Sequence, residues 1–201
     1  MITIDTETGG FDASRCALCE VAGLFWTDGP DGPEIIDQFS SLVRFNPNLV
    51  YDPAAMQVNG ISFDDLADAP EESEVLEKFF AFLSVTKTVY GSNPAFDERF
   101  LRVAANRNRI RMPALRCIDI KDRFKEQTGL KSASLLNMAK TYNLAETQSH
   151  RALGDCELVA KVMWAMEHGV EPNIPKEDIP PPISTGSPVI KASRPSKFRR
   201  F

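Results

Sequence analysis

The chain has 201 residues, of which 43% are hydrophobic and 25% charged, with a net charge of −5 and four cysteines. That length suits one α/β domain with a short extension, and the ordinary composition excludes a collagen-like repeat, a disulfide miniprotein and a globally disordered chain. There is neither an apolar run long enough to span a membrane nor a basic-then-apolar leader, so a cytoplasmic protein with reduced thiols and no membrane partner is expected.

Taken in chain order, MITID (1–5) reads as a short strand ended by the turn TETGG. ALCEVAGLFWT (17–27) and EIIDQFSSLVRF (34–45), separated by the turn DGPDGP, follow as second and third strands in an antiparallel meander. DPAAMQVNG predicts a short helix from Pro53 to Gly60. PEESEVLEKFFAFL predicts a longer one, with Val75, Leu76, Phe79, Phe80 and Leu83 at helical spacing and glutamates at its N-terminal end. TVYG (88–91) is a buried strand. SNPAFDERFLRVAANRN is a helix capped by Ser92 or Asn93 with Pro94 in its first turn. RCIDI (116–120) is a fifth strand. Helices near Lys121–Gln127 and Ser134–Tyr142 precede a last helix from about Arg151 to His168, whose stripe is Ala152, Cys156, Val159, Met163 and Met166. A meander followed by alternating strands and helices predicts a mixed five-stranded sheet covered by helices. Residues 171–201 hold seven of the fourteen prolines and no periodicity, and read as an extended, flexible tail after a domain of residues 1–170.

Charge is distributed unevenly along this plan. Residues 187–201 carry five basic and no acidic side chains, which leaves 18 Lys and Arg against 28 Asp and Glu in residues 1–186. An acidic body does not attract a polyanion by its bare surface, but carboxylates that collect divalent cations turn a negative site into one that accepts phosphate.

Several side chains fit that idea. Asp5 and Glu7 are two apart at the end of a strand and project to one face while the extended conformation lasts. Two carboxylates held together repel unless a cation lies between them. A turn capped by Asp5 and Thr6 is the ordinary alternative. Asp97 lies in the first turn of its helix, where the dipole alone favours an acid, and four residues separate His150 from Asp155 at the start of the last helix. Carboxylates at 5, 7, 97 and 155 with one histidine offer mostly hard oxygen ligands, which suit magnesium or manganese rather than zinc.

The same residues carry a family resemblance. DTETGG resembles the first motif (Asp-x-Glu) of the DnaQ-like, or DEDDh, 3′→5′ exonucleases, NPAFDERFL the second and HRALGDC the third, in the family's order and over roughly residues 1–168. LCEVAG is similar to the second-strand signature, and DTET near the N-terminus with HRAL before Asp155 looks most like exonuclease X-like members. The resemblance implies a ribonuclease-H-like fold and a magnesium- or manganese-dependent nuclease. Such an enzyme hydrolyses DNA, at single-stranded or frayed 3′ ends, to nucleoside 5′-monophosphates in replication proofreading, repair or degradation. It implies that Asp5, Glu7 and Asp155 ligate metal directly, Asp5 bridging two ions, and that Asp97 completes the cluster. It further implies His150 as the general base, Thr6 and Thr8 in the turn that meets the terminal nucleotide, and Phe96 as an aromatic near the scissile end. Two departures stand out: Gly10 follows Gly9 where relatives often have Thr-Gly, and Asn59 replaces a frequent His. Two other readings are a catalytically weak nucleic-acid-binding module tethered by its tail, and an RNA-trimming exoribonuclease.

The remaining features are plainer. Cys16 and Cys19 have knuckle spacing but no second ligand pair, Cys156 lies on a core stripe, and His168 ends a helix. KFRRF in the tail interleaves aromatics with cations, as single-strand binders do, and also suits a replication or repair protein partner.

Overall fold

The computed structural model describes residues 1–174. β1 (Ile2–Thr8), β2 (Leu18–Asp28) and β3 (Pro33–Leu42) form the expected antiparallel meander, with Ile4 opposite Gly23 and Glu7 opposite Glu20. β4 (Thr88–Gly91) and β5 (Arg116–Asp119) join the other edge of β1 in parallel, giving the order β3-β2-β1-β4-β5. β1 is therefore the strand at which the sheet changes from antiparallel to parallel.

Seven helices lie among the described residues: α1 (Pro53–Asn59), α2 (Phe63–Ala67), α3 (Glu72–Leu83), α4 (Pro94–Asn108), α5 (Ile120–Thr128), α6 (Leu135–Thr141) and α7 (Ala152–Glu167). They cover the two faces separately. Ile2, Ile4 and Val21 pack with Leu76, Phe79 and Phe100 of α3 and α4, whereas Ala22, Leu24 and Trp26 pack with Phe124, Met138 and Val159 of α5, α6 and α7. The stripes read from the sequence are the buried ones, since Val75, Leu76, Phe79, Phe80 and Leu83 of α3 and Ala152, Cys156, Val159, Met163 and Met166 of α7 are all buried.

The local differences have local causes. β1 runs to Thr8 rather than stopping at residue 5, because β2 supplies ladder partners as far as Leu18. The third strand ends at Leu42, and Ile120 begins α5 under the cap of Asp119 instead of ending β5. α2 was not anticipated. It is a single turn closed by a reciprocal capping box between Ser62 and Asp65. Asn93 precedes α4 as expected, but with φ 70° and no side-chain bond it does not cap through its amide. All four cysteines are free thiols, and burial pushes Cys19 up to about 12. His168 stacks on Trp164, with ring centroids 4.5 Å apart, at the end of α7. No described helix is long and apolar enough to cross a membrane. The tail call falls almost wholly on residues 175–201, outside the described residues. Of its first residues, Asn173 donates its backbone N–H to Thr141 O at 2.7 Å, against the end of α6.

Candidate active site

The pleat of β1 puts Thr3, Asp5 and Glu7 on the face covered by α7, where the Thr3 hydroxyl donates to Cys156 O at 3.0 Å. That anchor sets the first turn of α7 against the end of β1. One ligand oxygen each from Asp5, Glu7 and Asp155 then falls within 4.8 Å of the others. Asp155 is 5% exposed, and its Oδ2 accepts from Gln148 Nε2 at 2.5 Å while its Oδ1 is buried without a partner. The carboxylates of Asp5 and Glu7 accept no hydrogen bond among the described residues.

Asp97 reaches the same strand from the opposite face. Thr6, one step out of phase with Asp5 and Glu7, donates its hydroxyl to Asp97 Oδ1 at 2.7 Å. The structure thus brings three of the four expected carboxylates into one cluster and sets the fourth beside it, tied to the strand.

Electrostatics agree with the geometry. Burial, then the charges of Asp97, Asp155 and Glu7, holds Asp5 well above the usual carboxylate range. Burial, then Asp155 and Glu20, pushes Glu7 up to about 8, and burial takes Asp97 to about 7 against the pull of Thr6. Asp155 is raised by burial, partly offset by Gln148 and His150. A cluster of acids that repel, one of them with an orphaned buried oxygen, is a donor set that a divalent cation would fit.

His150 sits at the entry to α7, half-buried and in the left-handed region at φ 50°. Its ring has no hydrogen-bond partner among the described residues, so both nitrogens are available. The loop before it folds tightly onto the helix: a Cβ at Gly154 would collide with Ser149 Oγ. Thr8 donates its hydroxyl to Gly10 O at 2.7 Å, so Thr6 and Thr8 both turn their hydroxyls to protein partners and shape the turn. Gly9 has no room for a side chain, since a Cβ there would lie 2.5 Å from Val50 O. Asn59, buried in the place of the family's histidine, holds Thr8 O at 3.4 Å and Ile61 N–H at 3.0 Å.

Phe96 is half-buried against Phe100, centroids 4.9 Å apart, with the Arg99 guanidinium 5.6 Å from its ring centre. The sequence reading missed the neighbour at its other edge. Phe11 is 85% exposed, its ring 6.3 Å from that of Phe96 at 68°, and Arg99 Nη2 donates to its carbonyl at 3.1 Å. An aromatic placed directly after paired glycines and an acidic motif was the available signal. Phe11, Phe96 and Arg99 thus bring two aromatic rings and a cation together between the turn after β1 and the first turns of α4.

The comparisons with known proteins point the same way. The RNase_T family model, described as an exonuclease, matches residues 2–163. The DNA polymerase III PolC-type of Bacillus cereus is 30% identical over 169 residues, which are 82% of this chain and 11% of that protein. A putative bifunctional exonuclease/endonuclease protein of Mycobacterium tuberculosis is 30% identical over 138 residues, 67% of this chain and 21% of that one. The chain thus spans a minor part of the length of these relatives. Among solved structures, exonuclease X in complex with 5′ overhanging duplex DNA matches with a TM-score of 0.64 at 23% identity, over 89% of this chain and 96% of that one. E. coli exonuclease I in complex with a dA16 oligonucleotide matches with a TM-score of 0.69 at 18% identity, over 82% and 39%. These likenesses show a shared ribonuclease-H-like fold.

Proposed function

The chain belongs to the RNase_T exonuclease family, the DnaQ-like exonucleases, and from that premise we propose that residues 1–170 form a cation-dependent 3′→5′ exonuclease acting on single-stranded or frayed 3′ ends of DNA. The observation that carries this reading is the convergence of Asp5, Glu7 and Asp155, with the orphaned Asp155 Oδ1, beside a histidine free to take a proton. That solved structures of the same fold hold a dA16 oligonucleotide and a 5′ overhanging duplex supports DNA as the polymer.

Asp5, Glu7 and Asp155 would hold two magnesium or manganese ions, with Asp97 completing the set, and these would supply charge stabilisation at the attacking and departing oxygens and acidify the attacking water. The protein's own groups do the rest. His150, whose ring nitrogens have no hydrogen-bond partner among the described residues, accepts the proton from the attacking water. The Thr6–Gly10 turn, whose shape the two threonine hydroxyls fix, receives the terminal nucleotide, and Phe11 and Phe96 offer its base a stacking surface.

Digestion of single-stranded DNA labelled at one end or the other tests the reading. A 5′-labelled strand should shorten stepwise as nucleoside 5′-monophosphates appear. Chelator or Asp5→Ala should abolish the reaction, and His150→Ala should slow it by roughly 10²–10⁴-fold with little change in binding. Undiminished digestion in excess chelator, or loss of nucleotides from the 5′ end, would overturn it.

A further inference from the structure

Glu20 has no place in the chemistry above, yet it is 3% exposed and lies directly opposite Glu7 in the β1–β2 ladder, on the same face. Like charges opposed across a ladder are unfavourable, so a second acid there needs a reason. Its partners supply one. Glu20 Oε1 accepts from Arg151 Nη2 at 2.9 Å, and Oε2 accepts from Arg151 Nε at 3.0 Å and from the backbone N–H of Ala152 at 3.1 Å. Arg151 is the N-cap residue of α7 but makes no capping bond with its own side chain. Glu20, 131 residues away, therefore caps the helix in its place.

This clamp grips the two residues that follow His150. Arg151 O in turn accepts the N–H of Asp155 at 3.0 Å. On the other side, Gln148 is bonded to Asp155 and Ser149 is packed against Gly154. A non-glycine residue at φ 50° persists only where its surroundings dictate it, and these two grips are what dictate His150. We infer that Glu20 is the positioning residue for His150: through its fork on Arg151 and its bond to Ala152 N–H, it aims the imidazole at the carboxylate cluster.

The inference rests on His150 being the base, and the test separates the two. Glu20→Gln keeps the size of the side chain but turns an amide toward Arg151, breaking the fork. Arg151→Gln breaks the same fork from a half-exposed side chain and leaves Glu20 its bond from Ala152 N–H. A base displaced by about 1 Å costs up to 10²-fold in rate, so each variant should lower kcat about 10- to 100-fold on a single-stranded oligonucleotide, with KM changing far less. The two substitutions remove opposite charges. A field effect on the cluster would therefore move kcat in opposite directions, whereas lost positioning lowers it in both.

A double-mutant cycle completes the test. Measured in single turnovers, Glu20→Gln and Arg151→Gln should cost nothing further in a His150→Ala background. Equal losses with and without His150, opposite signs for the two variants, or unchanged kcat in both would overturn the positioning role while leaving the base intact. An unchanged rate in His150→Ala alone would instead remove the base itself.

Discussion

Raising pH should destabilise the metal-free protein and strengthen its hold on divalent cations. Glu7 stands at about 8 and Asp97 at about 7 in the folded state, against 4.5 and 3.8 ordinarily. For groups raised in this sense, the contribution to stability is complete below the unfolded value and is lost as pH climbs toward the folded one. The folded state then holds protons that unfolding would release. Between pH 5 and pH 7 each group accounts for a loss of about 2 kcal/mol, and Asp5, also raised, adds in the same direction. For a domain of this size each kcal/mol is worth about 2–4 °C, so the metal-free Tm should fall measurably across this range. The exposed acids that work the other way, Asp12, Asp65 and Glu74, lie below their ordinary 3.8, 3.8 and 4.5 and have given most of their benefit by pH 5. Cations bind the ionised carboxylates, so binding must expel protons and the gain in Tm must grow with pH. Thermal melts at pH 5.5, 6.5 and 7.5, with EDTA or with magnesium, measure both trends, and calorimetry in two buffers of different ionisation enthalpy counts the protons. A metal-free Tm that is flat or rises across this range would refute the assignment of these acids to one strained cluster. So would a magnesium-induced shift indifferent to pH.

Other outcomes follow from the same geometry. Gly154→Ala places a methyl group against Ser149 Oγ and should push the loop bearing His150 outward, reducing kcat by about 10-fold or more. Adding Ser149→Ala should restore much of that rate, and no rescue would mean the loop is held otherwise. Phe11→Ala should leave Tm unchanged, because the ring is exposed, and weaken single-strand affinity by about 1–3 kcal/mol in a titration at fixed salt. Deleting residues 187–201 should lower the salt dependence of single-strand binding by at most about 3.5 units of log–log slope if all five cations neutralise phosphate. Identical slopes would refute the nucleic-acid role of the tail and leave the protein-partner reading standing.

Much of this site was legible in the sequence because its elements are locally coded. The two-residue alternation of β1 puts Asp5 and Glu7 on one face, the 3.6-residue stripes of α3 and α7 fix which sides are buried, and Pro94 and Gly169 mark helix ends. The ordered motifs around Asp5, Asp97 and Asp155 carry the family from sequence alone. Tertiary structure decided what no local pattern encodes. The packing of the helices sets α7 over one face of β1 and α4 over the other, which is why Asp155 joins Asp5 and Glu7 while Asp97 stands tied to Thr6. Glu20 looked like part of a buried strand, since its partners lie 131 and 132 residues further along the chain. The left-handed turn at His150 was equally invisible, because even a residue type that visits this region more than most spends little time there by itself. Packing from both flanks imposes that backbone, and such packing exists only once the sheet and α7 have met.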